Sequence, residues 1–311
     1  MRVFVLGPRL APLFLCLAGL CGAAAAAPTL EMVMPDWNKT PVVDHDLGHG
    51  VHMLESFGGN IGVIADARGV LLVDAEYPEL HAKVMAAVRR LSKQPVRYVI
   101  NTHWHWDHMG ANSMFAKTGA TLLSSAETRK YIVDAQHSKM EPYAPDAAAV
   151  PSLTVGSTMT FHIGGQTVEV THVAPAHTDG DLVVRFVEAD VIQTGDTFFH
   201  GFYPDIDFEH GGTIDGMIAW YDKLYAMCGP NTKVIPGHGA IANREDVREY
   251  QAMLRQVRDI VARAIKAGMP EEALVASHAL DELDKKWGDN LVKAPYLLGI
   301  VYEDLKMHGV N

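Results

Sequence analysis

The strongest constraint in this chain is the run Asn101-Thr102-His103-Trp104-His105-Trp106-Asp107-His108-Met109-Gly110, which packs three imidazoles and a carboxylate into six consecutive positions. Neutral imidazole and carboxylate are both good ligands for a divalent ion such as zinc, and few other uses need so many of them so close together. The run reads as a metal cradle. Just upstream, Val96-Arg97-Tyr98-Val99-Ile100 is β-branched and aromatic, the pattern of a largely buried strand. The cradle then sits at a strand's C-terminal end, where crevices open in layered α/β folds. If the extended conformation continues, His103, His105 and Asp107 share one side and His108 points elsewhere, towards a second ion.

A chain of 311 residues, 48% hydrophobic, can bury a large core as one big domain or two smaller ones. Its formal charge of −11 argues against a nucleic-acid partner, since phosphate backbones are held mainly by Lys and Arg. The N-terminus reads as an export signal: Arg2 and Arg9 precede an apolar run from Leu10 to Leu20 and a small-residue tract from Gly22 to Ala27. The expected organisation is a signal peptide over 1–27 and one hydrolase domain over 28–311. The apolar run is too short to span a bilayer stably. The mature protein is therefore expected in the periplasm or secreted, without stable membrane insertion. Cys16 and Cys21 leave with the leader, so Cys228 stands alone and no intrachain disulfide forms. Cys228 ends an amphipathic helical pattern and is read as a small buried apolar residue.

Along the mature chain, Val51–Phe57 and Asn60–Ala65 flank Gly58-Gly59 as a hairpin, and Val70–Asp74 supplies a third strand. Leu80–Leu91 has helical spacing and leads into the cradle strand. A short helix over Ala111–Lys117, a strand at Thr121–Leu123 and a helix start at Ser124 or Ser125 follow. A long Pro-rich loop runs from His137 to Pro151. Met159–Ile163, Thr167–Thr171, Leu182–Phe186 and Val191-Ile192 form a second antiparallel block. Helical patterns return at Ile214–Met227, Arg244–Ala267, Pro270–Ala276 and Pro295–Met307. Two strand-rich blocks, each followed by helices, predict sheets packed face to face with helices outside both.

Three further candidate ligands end strands in the second block: His177 in Ala174–Asp181, Asp196 in Thr194–Thr197 and His238 in Ile235–Gly239. Each stands among Gly, Pro and Thr, where the backbone can turn sharply and aim the side chain outward. With the cradle they make seven.

This ordered set resembles that of the metallo-β-lactamase-fold hydrolases. The His-x-His-x-Asp-His motif is matched by His103, His105, Asp107 and His108, and the later His, Asp and His by His177, Asp196 and His238. The resemblance implies a four-layer αββα sandwich with two metals in the cleft between the sheets. It assigns His103, His105 and His177 to one zinc, Asp107, His108 and His238 to the other, and Asp196 as the bridge. Iron or manganese can occupy such a set as well.

The chemistry follows from the ions. Two zinc ions about 3.5–4 Å apart can share a hydroxide, lowering the pKa of water from about 15.7 to about 7. The expected reaction is attack by this hydroxide on the carbonyl of a small-molecule lactam, lactone, ester or thioester. Asp107 is a candidate to guide the proton to the leaving atom, and His200 and Tyr203 are candidates for oxyanion or carboxylate contacts. Familiar zinc β-lactamases carry Cys or Ser where Asp196 stands. An Asp there is closer to glyoxalase-II-type thioesterases and lactonases, and the lysine some lactamases place shortly afterwards is absent from Thr197–Tyr203. Trp104, Trp106, Phe198, Phe199, Phe202 and Tyr203 either wall an apolar substrate or pack the sheet edge. The hairpin tip Gly58-Gly59-Asn60 and the Pro-rich loop around Tyr143 are candidates to close over a substrate. The alternative from another class is a metal-binding accessory protein that uses the same ligands without turnover.

Overall fold

The computed structural model describes residues 34–134 and 146–310. The expected leader over 1–27 and the loop around Tyr143 lie outside the described residues. In chain order the first half contains β1 (Val43–Gly48), β2 (Val51–Glu55), β3 (Ile61–Asp66), β4 (Gly69–Val73), α1 (His81–Leu91), β5 (Val96–Ile100), α2 (Trp106–Met109), α3 (Asn112–Lys117), β6 (Thr121–Ser125) and α4 (Ala126–Asp134). The second contains β7 (Leu153–Val155), β8 (Thr158–Ile163), β9 (Gln166–Val173), β10 (Asp181–Phe186), β11 (Val191–Gln193), α5 (Ile214–Met227), β12 (Lys233–Ile235), α6 (Arg244–Lys266), α7 (Glu271–Val275), α8 (Asp281–Trp287) and α9 (Ala294–His308). None of the helices among the described residues is long and apolar enough to cross a membrane.

Two sheets result, a seven-stranded one in the order β1-β2-β3-β4-β5-β6-β7 and a five-stranded one in the order β12-β11-β10-β9-β8. In the first, β1 to β4 pair antiparallel and β4 to β7 parallel. The side-chain period of two sorts each strand between two cores. Leu71 and Val73 of β4, with Ile64, Ile100 and Leu123, meet Val168, Val170, Leu182 and Val184 of the other sheet. Their neighbours Val70 and Leu72 pack outward with Val84 and Val88 of α1 and Phe115 of α3. The outer face of the second sheet, through Val183, Ile192 and Val234, is covered by Met217 and Tyr221 of α5, Leu254 and Val257 of α6 and Leu298 of α9. The layers are therefore helix, sheet, sheet, helix, as expected.

Three departures from the sequence reading have local causes. Strand β7, too short to show a period, completes the first sheet beside β6. Helix α8 is mostly charged, and only Trp287 at its end is buried, so it offered no apolar stripe to read. The cradle does not continue β5 as extended chain. It bends at Thr102–Trp104 and turns into α2, which carries both Asp107 and His108. Asp107 accordingly leaves the side occupied by His103 and His105.

Candidate metal centre

Loops at one end of the sandwich bring the seven predicted residues together. His103 and His105 follow β5, Asp107 and His108 lie on α2, His177 follows β9, Asp196 follows β11 and His238 follows β12. Their donor atoms form two adjacent groups, His103, His105, His177 and Asp196 in one and Asp107, His108 and His238 in the other, each within 4.8 Å. Asp196 lies between them. Its Oδ2 is 3.6 Å from His103 Nε2, 3.9 Å from His177 Nε2 and 3.4 Å from His238 Nε2, while Oδ1 is 3.0 Å from His108 Nε2. His238 Nε2 also lies 3.1 Å from Asp107 Oδ2.

The outer nitrogens fix which inner nitrogens bear lone pairs. His177 donates from Nδ1 to the Asp205 carbonyl at 2.9 Å, and His105 donates from Nε2 to Asp207 Oδ2 at 3.1 Å. Asp74 serves two rings at once. It accepts His108 Nδ1 at 2.9 Å and the Thr102 hydroxyl at 2.8 Å, and that hydroxyl stands 3.1 Å from His103 Nδ1 as its acceptor. Each neutral ring then aims a lone pair inward. His103 Nε2 and Asp196 Oδ1 are buried without a hydrogen-bond partner. Rings that can turn a lone pair inward, two carboxylates and burial are the donor set a divalent cation needs, so the residues fit a metal.

The electrostatics agree. Burial pulls His108 and His238 down, but Asp196 and Asp107, with Asp74 at His108, outweigh it. They hold His108 well above the ordinary imidazole range and push His238 up to about 10. Burial, reinforced by the charge on His108, instead takes His103 well below that range. Burial would raise Asp196, yet His108 and His238 overcome it and keep the carboxylate ionised. The protein without metal thus answers the carboxylates with imidazolium charge in the second group. Beside it, burial pushes Glu76 up to about 7, with Asp107 adding to the effect.

Two predicted contact residues leave the site. Phe199 and His238 form an isolated parallel bridge, and Phe199 stacks on His238 at 5.4 Å between ring centroids and 11° between planes. The next side chain points away, so His200 donates from Nδ1 to the Ala240 carbonyl at 2.7 Å. Tyr203 is fully buried in the helical core with its hydroxyl towards Asp284, and burial first and that carboxylate second raise it above the ordinary phenol range. Neither side chain is directed at the ligand groups: His200 braces the loop at Ala240 and Tyr203 packs in the core. The aromatic wall divides likewise. Phe198 packs on Tyr250, Trp104 donates to Asp207, and Phe199 and Phe202 flank His238. The tip at Gly58–Asn60 is buried and hydrogen-bonded to the Asp107 and Gly237 carbonyls.

Asp74, Asp207 and Asn60 went unread as supports. Asp74 had one usable signal: it ends a fully apolar strand that pairs with the cradle strand.

Fold and donor set define a metallohydrolase-like class, and the family model for the metallo-beta-lactamase superfamily matches residues 54–261. The chain belongs to this superfamily, whose members are mostly hydrolases. It is similar to metallo-beta-lactamase IND-1 of Chryseobacterium indologenes, 22% identical over 209 residues, covering 64% of this chain and 83% of that one. It is also similar to a hydroxyacylglutathione hydrolase of a Polaromonas species, 28% identical over 166 residues, covering 52% and 56%. Among solved structures, a metallo-beta-lactamase from Pontibacter korlensis superposes with a TM-score of 0.59 at 17% identity, covering 69% of this chain and 99% of that one. A stereoselective inverting sec-alkylsulfatase from a Pseudomonas species gives 0.64 at 16% identity, covering 84% and 50%.

Proposed function

We propose that this protein is an exported dinuclear zinc hydrolase that attacks the carbonyl carbon of a small-molecule ester, lactone, thioester or lactam and cleaves its acyl C–O, C–S or C–N bond. The observation that carries the reading is the Asp196 carboxylate, whose two oxygens reach both ligand groups. Bound cations would supply Lewis acidity, polarising the bond under attack and acidifying water to near neutral pH. His103, His105 and His177 would hold one ion, Asp107, His108 and His238 the other, and Asp196 both. Asp107 is the one carboxylate of the set with partial exposure, 15% of its side chain, so it is placed to accept a proton and pass it to a leaving atom. An Asp rather than Cys or Ser at 196, and no lysine in the segment after it, favour an ester, lactone or thioester over a lactam. The leader read over 1–27 supports export.

The test is metal analysis of the purified protein, then a panel of nitrocefin, aryl esters, lactones, thioesters, bis-aryl phosphate and aryl sulfate. Two equivalents of zinc, with carbonyl hydrolysis that chelation abolishes and zinc restores, support the proposal. Turnover confined to the sulfate or phosphate ester overturns the substrate class. Tight zinc with no turnover on any panel member would identify a metal-binding accessory protein.

A further inference from the structure

Residues 59 and 60 bond to or pack against Asp107, His108 and the loop that carries His238. The Gly59 amide donates to the Asp107 carbonyl at 3.2 Å. Its α-carbon faces the His108 imidazole so closely that an added Cβ would collide with the ring. Asn60 then holds the loop of His238 on both sides of the histidine. Its backbone amide donates to the Gly237 carbonyl at 2.8 Å, and its side-chain amide donates to the Pro236 and Gly239 carbonyls at 3.0 and 2.9 Å.

Asn60 is itself fixed from below. The carboxamide of Gln193, fully buried at the end of β11, crosses between the sheets and donates to the Asn60 carbonyl at 3.0 Å and the Val73 carbonyl at 3.3 Å. Gln193 stands three residues before Asp196, and the Gly237 amide donates to the Gly195 carbonyl at 2.9 Å. One network therefore ties the hairpin of the first sheet to the two loops of the second that carry Asp196 and His238. His238 needs this support. His105, His108 and His177 each have an outer ring nitrogen on a protein oxygen, whereas among the described contacts the His238 ring is held by its inward nitrogen and by packing on Phe199, Phe202 and His108.

We propose that Asn60 is a positioning residue for the second metal, setting the spacing of His238 from His108 and Asp107 across the two sheets. This rests on the two-ion reading above. Removal of its side-chain amide lets the Pro236–Gly239 loop drift while the first group keeps its own supports. The mutation therefore weakens one metal equivalent and spares the other.

The experiment is titration of the metal-free full mature chain with Zn2+ against a chromophoric chelator, and with Co2+ followed by its visible spectrum, for the wild type, Asn60→Ala and Gly59→Ala. Wild type should take two equivalents. Asn60→Ala should keep the first affinity and weaken the second about 10–100-fold, the usual cost of losing an outer support. Gly59→Ala, which acts on His108 instead, should lose the same equivalent, and it keeps the proposal testable if Asn60→Ala does not fold. A second equivalent unchanged in the folded variants, or both equivalents weakened alike, overturns the positioning role. A single equivalent in the wild type overturns the two-ion reading, and the role of Asn60 with it.

Discussion

His105 Nδ1 and His177 Nε2 face each other at 3.0 Å, and neither carries a proton when the outer nitrogen of each ring donates to oxygen. Two lone pairs at that separation repel unless a cation or an added proton stands between them. The arrangement is held open from outside by Asp207 on His105 and by the Asp205 carbonyl on His177. Asp205 is anchored in turn by the Tyr296 hydroxyl at 2.8 Å, so α9 reaches the centre through this loop.

Asp207 therefore sets the first ligand group. It accepts from His105, from Trp104 Nε1 and from both Nδ1 and the backbone amide of His210, four donors on one carboxylate. Asp207→Ala should weaken zinc about 10–100-fold at the first group, measured by chelator competition, with Asp207→Asn recovering part of the loss because its oxygen still accepts. Unchanged affinity would show that packing alone orients His105.

Asp107→Asn should cut kcat by roughly 10²–10⁴ while shifting KM much less, as expected for a group that moves a proton in the reaction. The comparison is made at saturating zinc, with metal content measured on the same sample. An equal loss in binding and turnover would count against proton transfer at Asp107.

Tyr203 separates packing from catalysis. Tyr203→Phe should leave kcat/KM within about twofold, because the hydroxyl points to Asp284 in the helical core rather than to the ligands. Tyr203→Ala should cost about 3–5 kcal/mol in denaturant unfolding through the cavity it leaves. A large loss of activity in the well-folded Phe variant would restore the residue to the site.

Asp181 gives the metal-free protein a pH dependence of known sign. It is buried and accepts from the Thr178 amide and hydroxyl at 2.9 and 2.6 Å, and burial, offset in part by His177, pushes its carboxyl from 3.8 up to about 6. The folded-state value lies above the unfolded one, so the folded chain holds the proton more tightly. This stabilisation is complete below about pH 4 and is lost as pH rises through 6, an effect on the order of 2–3 kcal/mol. Asp181→Asn stays neutral and should flatten that part of the melting profile between about pH 4.5 and 7.5. An unaltered profile would mean that the carboxyl is solvated.

Metal removal should lower the melting temperature. An ion that binds only the folded state contributes about 2.7 kcal/mol when its free concentration is a hundred times Kd. Scanning calorimetry across a zinc series should show the transition rising with concentration and falling back on chelation.

The two strand blocks, the helices outside them and the seven His and Asp residues that the fold gathers in one place were legible in the sequence because periodicity and residue type are local. Imidazoles and carboxylates gathered among Gly, Pro, Thr and Trp at strand ends announce themselves without coordinates. What the chain order could not show is how the loops turn. The bend after Ile100 moves Asp107 onto α2, and the Phe199–His238 bridge sends His200 outward, because each side-chain direction is set by backbone hydrogen bonds to distant segments. The supports were hidden for the same reason. Asn60 lies 176 residues from the Pro236 carbonyl it holds, and Asp207 102 residues from His105. Sequence supplied the cluster of imidazoles and carboxylates, and the packing of one sheet on the other decided which ring nitrogens face its centre.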